Sequence, residues 1–375
     1  MTPKPPKIFH LITSLNVGGT ERFLLSIVKN LHQEFDFEVA YLKEKGTLGE
    51  TIEAKNWARV RGLKGWRDFW KWTREGQPDI LHTHMPRANL YGCLLRMITW
   101  FTHKPSPVII ASHRAMGYFN LWNRYYWGFF LDSFPFLSSV PHVLITNSKA
   151  LKDRLIRISR VPADKIYTLY NGFDPERVKA HMDQKEARAK CGLPQGKIIV
   201  GSLMRLHHQK YTDLLPNLIK KVHRRNSNVF FAIAGNGPEY QHLENELKTQ
   251  DPQGKSWKLL KHIYPISPFL KSLDICFLLS RDEGFPNVLL EAMGAGLPCI
   301  ANNVGGVSEL IQDEKTGYIV QTPNSSLVAK TIDKVIQNPL EAKKIGEQAR
   351  EYVMQHHPMD EMIDNLRELY LDCIQ

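Results

Sequence analysis

The feature that most narrows the fold of this chain is a rhythm. Short apolar runs of strand length alternate with amphipathic stretches from one end to the other, with one interruption near the middle. Residues 8–14 read as a first strand, and residues 21–31 set Phe23, Leu24, Ile27, Val28 and Leu31 on one helical face. Strand-like runs recur at 37–42, 80–83, 108–112, 143–147 and 166–170. They are mostly apolar, as suits strands covered on both faces of a parallel sheet.

The rhythm breaks at 171–195, where Asn-Gly, Asp-Pro and Leu-Pro punctuation and many charges predict a junction. It then restarts, with strands at 197–203, 229–234, 275–279, 298–302 and 318–320. Helices are expected near 211–225, 238–248, 286–295, 306–312 and 325–336, with a last one at about 359–374. The 375 residues thus divide into a domain at 1–170, a linker at 171–195 and a domain at 196–357, two open α/β units. No fixed-period repeat or low-complexity tract is present.

Composition excludes several classes. The balance of 43% hydrophobic and 23% charged residues is that of a globular chain. Five scattered cysteines (93, 191, 276, 299 and 373) without a C-x-x-C pair suit reduced thiols and a cytoplasmic setting. No uncharged apolar run approaches the ~18 residues a membrane span needs. The start has a basic end and a short apolar run but no small-residue cleavage site, so it reads as a strand rather than a signal peptide.

Charge is lopsided. Residues 1–170 carry 24 Lys/Arg against 13 Asp/Glu, whereas 171–375 carry 25 of each, so the first half holds the whole +11. Seven of the eight tryptophans also lie there, between Trp57 and Trp127. Cations mixed with aromatics at 55–74, and ten aromatics among residues 117–137, suit a membrane interface, with acidic lipids meeting the cations. Most rings of 117–137 are expected in the core; the 55–74 stretch is expected at the interface. No nucleic-acid-binding motif accompanies the charge.

The strongest chemical motif is Ser280-Arg-Asp-Glu-Gly-Phe-Pro-Asn-Val-Leu-Leu-Glu-Ala-Met-Gly-Ala-Gly-Leu-Pro. A strand ends at Ser280, a loop carries Glu283 and Gly284, and Pro286 is expected at the first helical position. The opening N–H groups of that helix, at Asn287 and Val288, would make an anion site. Glu283 and Glu291, eight residues apart, bracket it. Carboxylates beside a phosphate pocket repel unless they bind hydroxyls, so the set fits a nucleotide-sugar better than a bare nucleotide. A capping Glu and a solvated helical Glu would be the plain structural alternative, but Gly284 and Gly294-Ala-Gly296 also keep the backbone open to close approach.

This stretch resembles the E-x7-E signature of the retaining, GT-B-fold glycosyltransferases of family 4, and the resemblance covers nearly the whole chain. Asn16-Val-Gly-Gly-Thr-Glu resembles the family's Gly-Gly turn after the first strand, and Tyr170-Asn-Gly-Phe-Asp its junction motif. Val200-Gly-Ser-Leu-Met-Arg-Leu-His-His-Gln-Lys resembles its Arg-Leu-x3-Lys pair. Ala234-Gly-Asn-Gly-Pro-Glu resembles its Gly-x-Gly-Pro turn, and Asn303-Val-Gly-Gly-Val-Ser-Glu is a further match. The resemblance implies two Rossmann-like α/β domains facing each other across a deep cleft, closing around donor. It also implies a C-terminal helix, at about 358–375, crossing back to the N-terminal domain.

Physical roles follow. Arg205 and Lys210 are expected to stabilise charge developing on a departing nucleoside diphosphate, Arg205 as a planar fork and Lys210 as a point charge. Alone, such a pair fits surface charges equally well; in this context it also makes a metal unnecessary, and no cofactor is expected. Gly18 and Gly19 open a helix after strand one and could turn backbone N–H groups toward the diphosphate, although a plain tight turn fits nearly as well. They do not form the dinucleotide G-x-G-x-x-G fingerprint. His82-x-His84 places two imidazoles on one strand face, but two ligands do not make a metal site. His113 closes a strand, where geometry alone leaves a structural histidine equally plausible; the resemblance implies the family's cleft histidine near the reacting sugar. It also implies that Glu283 positions sugar hydroxyls, Glu291 meets the ribose, and Gly284, Phe285 and Pro286 line the sugar pocket.

The expected activity is transfer of a hexose, without a metal, from a nucleotide-diphosphate sugar to a hydroxyl of a glycan or lipid-linked acceptor. UDP is favoured as the commonest base, and bacterial surface polysaccharide or lipopolysaccharide assembly as the setting, peripheral on the inner membrane face. Rival readings are a nucleotide-sugar epimerase or hydrolase on the same scaffold and a non-catalytic membrane- or polyanion-binding protein. Residues 257–267 lack the glycine usual where the family passes the nucleotide base, and Ser202 stands where many relatives carry glycine.

Overall fold

The computed structural model describes residues 4–114, 139–261 and 263–375. The chain divides into two compact units, Met1–Gly172 with Asp360–Gln375, and Phe173–Met359. The aromatic stretch at 117–137 lies outside the described residues.

The first unit runs β1 (Lys7–Ile12), α1 (Gly19–Leu31), β2 (Asp36–Tyr41), α2 (Gly46–Ala54), β3 (Arg59–Gly62), α3 (Trp66–Gly76), β4 (Ile80–His84), α4 (Pro86–Phe101), β5 (Val108–His113), β6 (Val143–Thr146), α5 (Lys149–Ser159) and β7 (Ile166–Thr168). The strands form one parallel sheet ordered β3-β2-β1-β4-β5-β6-β7. Its order reverses between β1 and β4, so the chain leaves those two strands toward opposite faces and a crevice opens at their carboxyl ends.

The second unit begins with α6 (Gln184–Cys191) and continues β8 (Ile198–Leu203), α7 (Leu215–Arg225), β9 (Val229–Ala234), α8 (Tyr240–Gln250), β10 (Trp257–Leu260), α9 (Ser267–Ser272), β11 (Ile275–Leu278), α10 (Asn287–Gly294), β12 (Cys299–Asn302), α11 (Val307–Leu310), β13 (Tyr318–Val320), α12 (Ser325–Gln337) and α13 (Pro339–His356). Its parallel sheet is ordered β10-β9-β8-β11-β12-β13, reversing between β8 and β11. The core under it joins Phe231, Phe277, Ile300, Leu218 and Ile332.

The final helix, α14 (Met359–Ile374), belongs almost entirely to the first unit. Tyr370 is fully buried there, its ring edge-on to Phe35 at 5.7 Å, its hydroxyl 2.6 Å from Nδ1 of His82.

Two expectations change. The charged stretch read as a linker holds α6, whose N-terminus carries a reciprocal capping box between Asp183 and Glu186 and whose end is closed by Gly192 at φ 61°. Arg188 on this helix is buried: its Nη2 meets Asp274 Oδ2 at 2.6 Å, and it donates to the carbonyls of Ser272 and Lys197. Of the charges in this stretch, Arg188 is thus tied into the interior, while Glu176, Lys179, Asp183, Lys185, Glu186 and Lys190 are exposed.

The rings of 55–74 also pack more deeply than expected. Trp72 is 2% exposed, stacks on Phe9 with ring centroids 4.5 Å apart, and donates from Nε1 to Glu38 at 2.8 Å. Trp66 and Trp70 lean on the same cluster, Trp66 against Phe69 and Tyr91. Arg67 and Lys71 face solvent on the other side of this helix, while exposed Arg74, one turn after Trp70, lies 6.0 Å over the Trp70 ring. The aromatic pair that does stand in solvent is Trp100 and Phe101 at the end of α4, 71% and 67% exposed.

Trp72→Ala is therefore expected to lower unfolding stability by about 3–5 kcal/mol, the usual cost of emptying a large aromatic site. Urea titration checks this; a loss within ~0.5 kcal/mol would place the ring outside the core.

Candidate active site

The chemistry-bearing residues of the second unit come from loops at the β8/β11 reversal. After β8 the chain passes Arg205 and makes short turns through His208–Lys210 and Thr212–Leu214. After β11 it passes Ser280 to Pro286. These two loops are stitched together. The Arg281 N–H donates to Gln209 O at 2.7 Å, Gln209 Nε2 to Asp282 O at 3.0 Å, and the Arg281 guanidinium to the Asp213 carboxylate at 3.1 Å while lying 4.1 Å over the Tyr211 ring. Buried Asn302 grips the backbone of Ser280 in both directions, accepting at 2.7 Å and donating at 2.8 Å. The N–H of Gly306 donates to Gly284 O at 2.9 Å, fixing the loop with Glu283 against the Asn303-Val-Gly-Gly motif.

Within this frame Lys210 and Glu283 form a direct ion pair, their side chains only 17% and 11% exposed. Sequence reading gave them separate duties; the structure brings them together. Arg205 stands exposed, and among the described residues it has no ion-pair partner. Its position depends on the Gly-x-Gly-Pro turn. A Cβ at Gly235 would lie 1.8 Å from Met204 O, and one at Gly237 2.1 Å from Leu206 O, so only glycines let this turn back directly onto the residues flanking Arg205. Ser202 is fully buried, its hydroxyl without a hydrogen-bond partner among the described residues.

The helix after the acidic loop starts one residue later than expected. Pro286, with ψ 108°, is extended and serves as the N-cap, and Asn287 is the first helical residue, followed by Val288. Phe285 is buried, its ring edge 5.1 Å from the His357 imidazole. Glu291 is 8% exposed, with Arg177 Nε at 2.9 Å and Nη2 at 2.5 Å from its Oε1. Burial pushes its carboxyl upward, against the pull of Arg177. Arg177 was missed from sequence: it lies in the presumed linker, and nothing local marks it as a partner for a residue 114 positions away.

In the first unit the Gly-Gly turn behaves differently from expectation. Gly18 is extended, at φ −157°, so its lack of a side chain matters for space: a Cβ there would sit 2.3 Å from the Glu21 carboxylate. Glu21 folds back over the start of α1, held by its own N–H and by Ser14, and is only 7% exposed; burial raises its carboxyl. The anion at the Gly18–Gly19 helix end is thus supplied by the chain itself. His113 closes β5, 7% exposed, paired in register with Thr146.

His82 and His84 acquire a third neighbour, His10 of β1. All three are fully buried, with a nitrogen from each within 4.8 Å of the others, the one such set among the described residues. His10 Nδ1 lies 2.9 Å from His84 Nε2, and His82 bridges Tyr370 and Ser112 at 2.6 and 2.7 Å. Burial lowers all three, His10 to about 3, and the Arg114 charge presses further on His82 and His84. A dication would have to displace these bonds beside a guanidinium, so the cluster fits a neutral hydrogen-bonded core. Met85 follows in a strained turn at φ 73°.

Two doubly wound units, with acids and cations gathered at a strand-order reversal, are those of the GT-B fold. Residues 183–352 match the Glycosyl transferases group 1 family and residues 17–177 match Glycosyltransferase Family 4. The chain belongs to this family and is a glycosyltransferase. It is 26% identical to the N-acetyl-alpha-D-glucosaminyl L-malate synthase of Bacillus anthracis over 79% of this chain and 75% of that one. It is 22% identical to the UDP-Gal:alpha-D-GlcNAc-diphosphoundecaprenol alpha-1,3-galactosyltransferase of Escherichia coli over 98% and 97%. Among solved structures, Anabaena HepE in complex with UDP and glucose superposes with a TM-score of 0.84 at 19% identity, covering 98% of this chain and all of that one.

Gly237→Ala is expected to cost about 1–3 kcal/mol by overpacking and to displace Arg205. Urea melts of this variant beside wild type check it, and unchanged stability would mean that the turn does not depend on the absent Cβ. The histidine cluster carries its own signature. Histidines held below their ordinary 6.5 in the folded state take up protons only on unfolding, so they support the fold above pH 6.5 and oppose it as pH falls toward about 3. Melting temperature should fall steeply through that window, and His10→Asn should flatten the fall; equal slopes for both proteins would contradict the buried, neutral assignment.

Proposed function

We propose that the enzyme transfers a hexose with retention, without a metal, from UDP-sugar to a hydroxyl of a glycan or lipid-linked acceptor in bacterial surface-polysaccharide or lipopolysaccharide assembly. The observation that carries the donor half of this reading is the Lys210–Glu283 pair at the β8/β11 reversal, with Arg205 on the adjoining loop, unpaired among the described residues. Lys210 cancels the charge of Glu283, so a carboxylate can grip sugar hydroxyls close to phosphates without repelling them. Arg205 is the cation left over, and it meets the charge that grows on the departing diphosphate. Gly284, Phe285 and Pro286 line the sugar, the N–H groups opening α10 face the phosphates, and Glu291, steadied by Arg177, takes the ribose.

Retention follows if the acceptor hydroxyl attacks from the face the diphosphate leaves, its proton passing to the leaving phosphate oxygen; no protein nucleophile takes part. We assign His113 to the reacting sugar. UDP is supported by the UDP complex of HepE and the UDP-galactose named for the E. coli relative. The acceptors in the two relatives' names, L-malate and a diphosphoundecaprenol-linked sugar, are both anionic, and the second supports a lipid-borne acceptor and a peripheral place at the membrane.

A thermal-shift series with UDP, GDP, ADP and CMP should single out UDP, since stabilisation grows with ln(1 + [L]/Kd). Arg205→Ala should weaken UDP roughly ten- to hundredfold. Glu283→Gln should leave UDP binding within about threefold yet cut transfer by on the order of a hundredfold or more. EDTA should leave transfer unchanged and the product should keep the donor's anomeric configuration. Transfer that survives both substitutions would refute the assignment.

A further inference from the structure

Arg114 has no place in the donor chemistry, yet its setting is unusual. It follows His113 directly at the carboxyl end of β5, one strand from the β1/β4 reversal of the first unit. Its guanidinium lies 3.5 Å over the Phe23 ring of α1, its Nη2 donates to Asn171 Oδ1, and its backbone carbonyl accepts from Asn147 Nδ2 at 3.2 Å. Everything that orients it is uncharged. Among the described residues no carboxylate pairs with it, and its Nη1 is shut off from solvent without a hydrogen-bond partner. The histidines nearest in charge, His82 and His84, are neutral, and burial lowers Arg114 itself to about 9, still protonated at neutral pH. A cation held in a dry setting without a counter-charge is costly to fold. Three groups nevertheless aim it, which is how a protein prepares for a charge that arrives from outside.

We propose that Arg114 is the receptor for a phosphate or diphosphate group of a substrate. The proposal rests on the glycosyl-transfer reading only for who carries that group: a diphosphate-linked acceptor or the nucleotide donor. An Arg fork fixed on an aromatic face suits phosphate oxygens geometrically. It also explains why the Gly18–Gly19 turn can be capped internally by Glu21, since the anion site of this unit is then the guanidinium and not the helix end.

The test is calorimetric titration of inorganic pyrophosphate into the full chain, wild type, Arg114→Met and Arg114→Lys, each with and without saturating UDP. Wild type should bind, and Arg114→Met should bind roughly ten- to hundredfold more weakly. The ligand-free Arg114→Met variant should melt no lower than wild type, because a half-buried charge with no carboxylate partner among the described residues has been removed; a merely structural arginine would show the reverse, a lower melting temperature with binding intact. Should Arg114→Met not fold, Arg114→Lys decides: charge without the fork should weaken pyrophosphate by about tenfold. Pyrophosphate binding that persists under saturating UDP assigns the receptor to the acceptor; competition by UDP, together with weaker UDP binding in the variant, assigns it to the donor. Unchanged pyrophosphate affinity in the folded variants overturns the proposal. If wild type fails to bind UDP, the donor reading is at fault, and the same titration in an Arg205→Gln/Lys210→Gln background still isolates Arg114.

Discussion

In a parallel sheet every strand points the same way, so every loop that can bear chemistry emerges at one edge, and only where strand order reverses do two neighbouring loops part to leave room for a ligand. That constraint governs the second unit. β8 and β11 adjoin at the reversal, and the loops after them carry Arg205, Lys210 and Glu283. The surrounding hydrogen bonds serve to hold these loops still. Gln209, Asp282, Asn302 and Gly306 exchange backbone contacts across three separate chain segments, so that a lysine and a glutamate 73 residues apart meet directly.

Charge pairing then decides what such a site can bind. Two acids near a phosphate would be self-defeating if both were bare, but Glu283 is matched by Lys210 and Glu291 by Arg177. The pairs leave hydroxyl-accepting oxygen in a locally neutral setting, while Arg205 has no ion-pair partner among the described residues. Polar grip on sugars and cationic grip on a diphosphate can therefore coexist within a few loops. Partial burial strengthens the Lys210–Glu283 and Glu291–Arg177 pairs, because less solvent screens them.

Much of this was legible beforehand, and the exceptions share a cause. Strands with both faces covered announce themselves through unbroken apolar runs, which is why β1, β4, β5, β9 and β12 could be read almost to the residue. β3 and β10 could not: each is one of the two edge strands of its sheet, and Arg59-Val-Arg-Gly and Trp257-Lys-Leu-Leu, interrupted by cations, carry no such run. Interactions between distant segments were equally invisible. Arg188 with Asp274, Arg177 with Glu291 and His10 with His84 join positions that only the fold brings together. The glycines of the Gly-x-Gly-Pro turn were noticed as a pattern, but their reason, carbonyls within about 2 Å of an absent Cβ, required coordinates.

The net charge of the first half shows how composition can point correctly while its carrier is misread. Arg59, Arg61, Lys64, Arg67, Lys71 and Arg74 supply much of the surplus, and all six face solvent, where high dielectric and mobile ions blunt their fields. Their tryptophan neighbours turned inward for the ordinary reason that indole rings gain more from Phe9 and Phe69 than from water. A charge counts for recognition in proportion to how little water surrounds it and how firmly it is aimed. By that measure the six surface cations together say less about a partner than the single guanidinium lying on Phe23. The surplus suggests an anionic partner, and the residue proposed to receive it is one that the count treated as no different from the others.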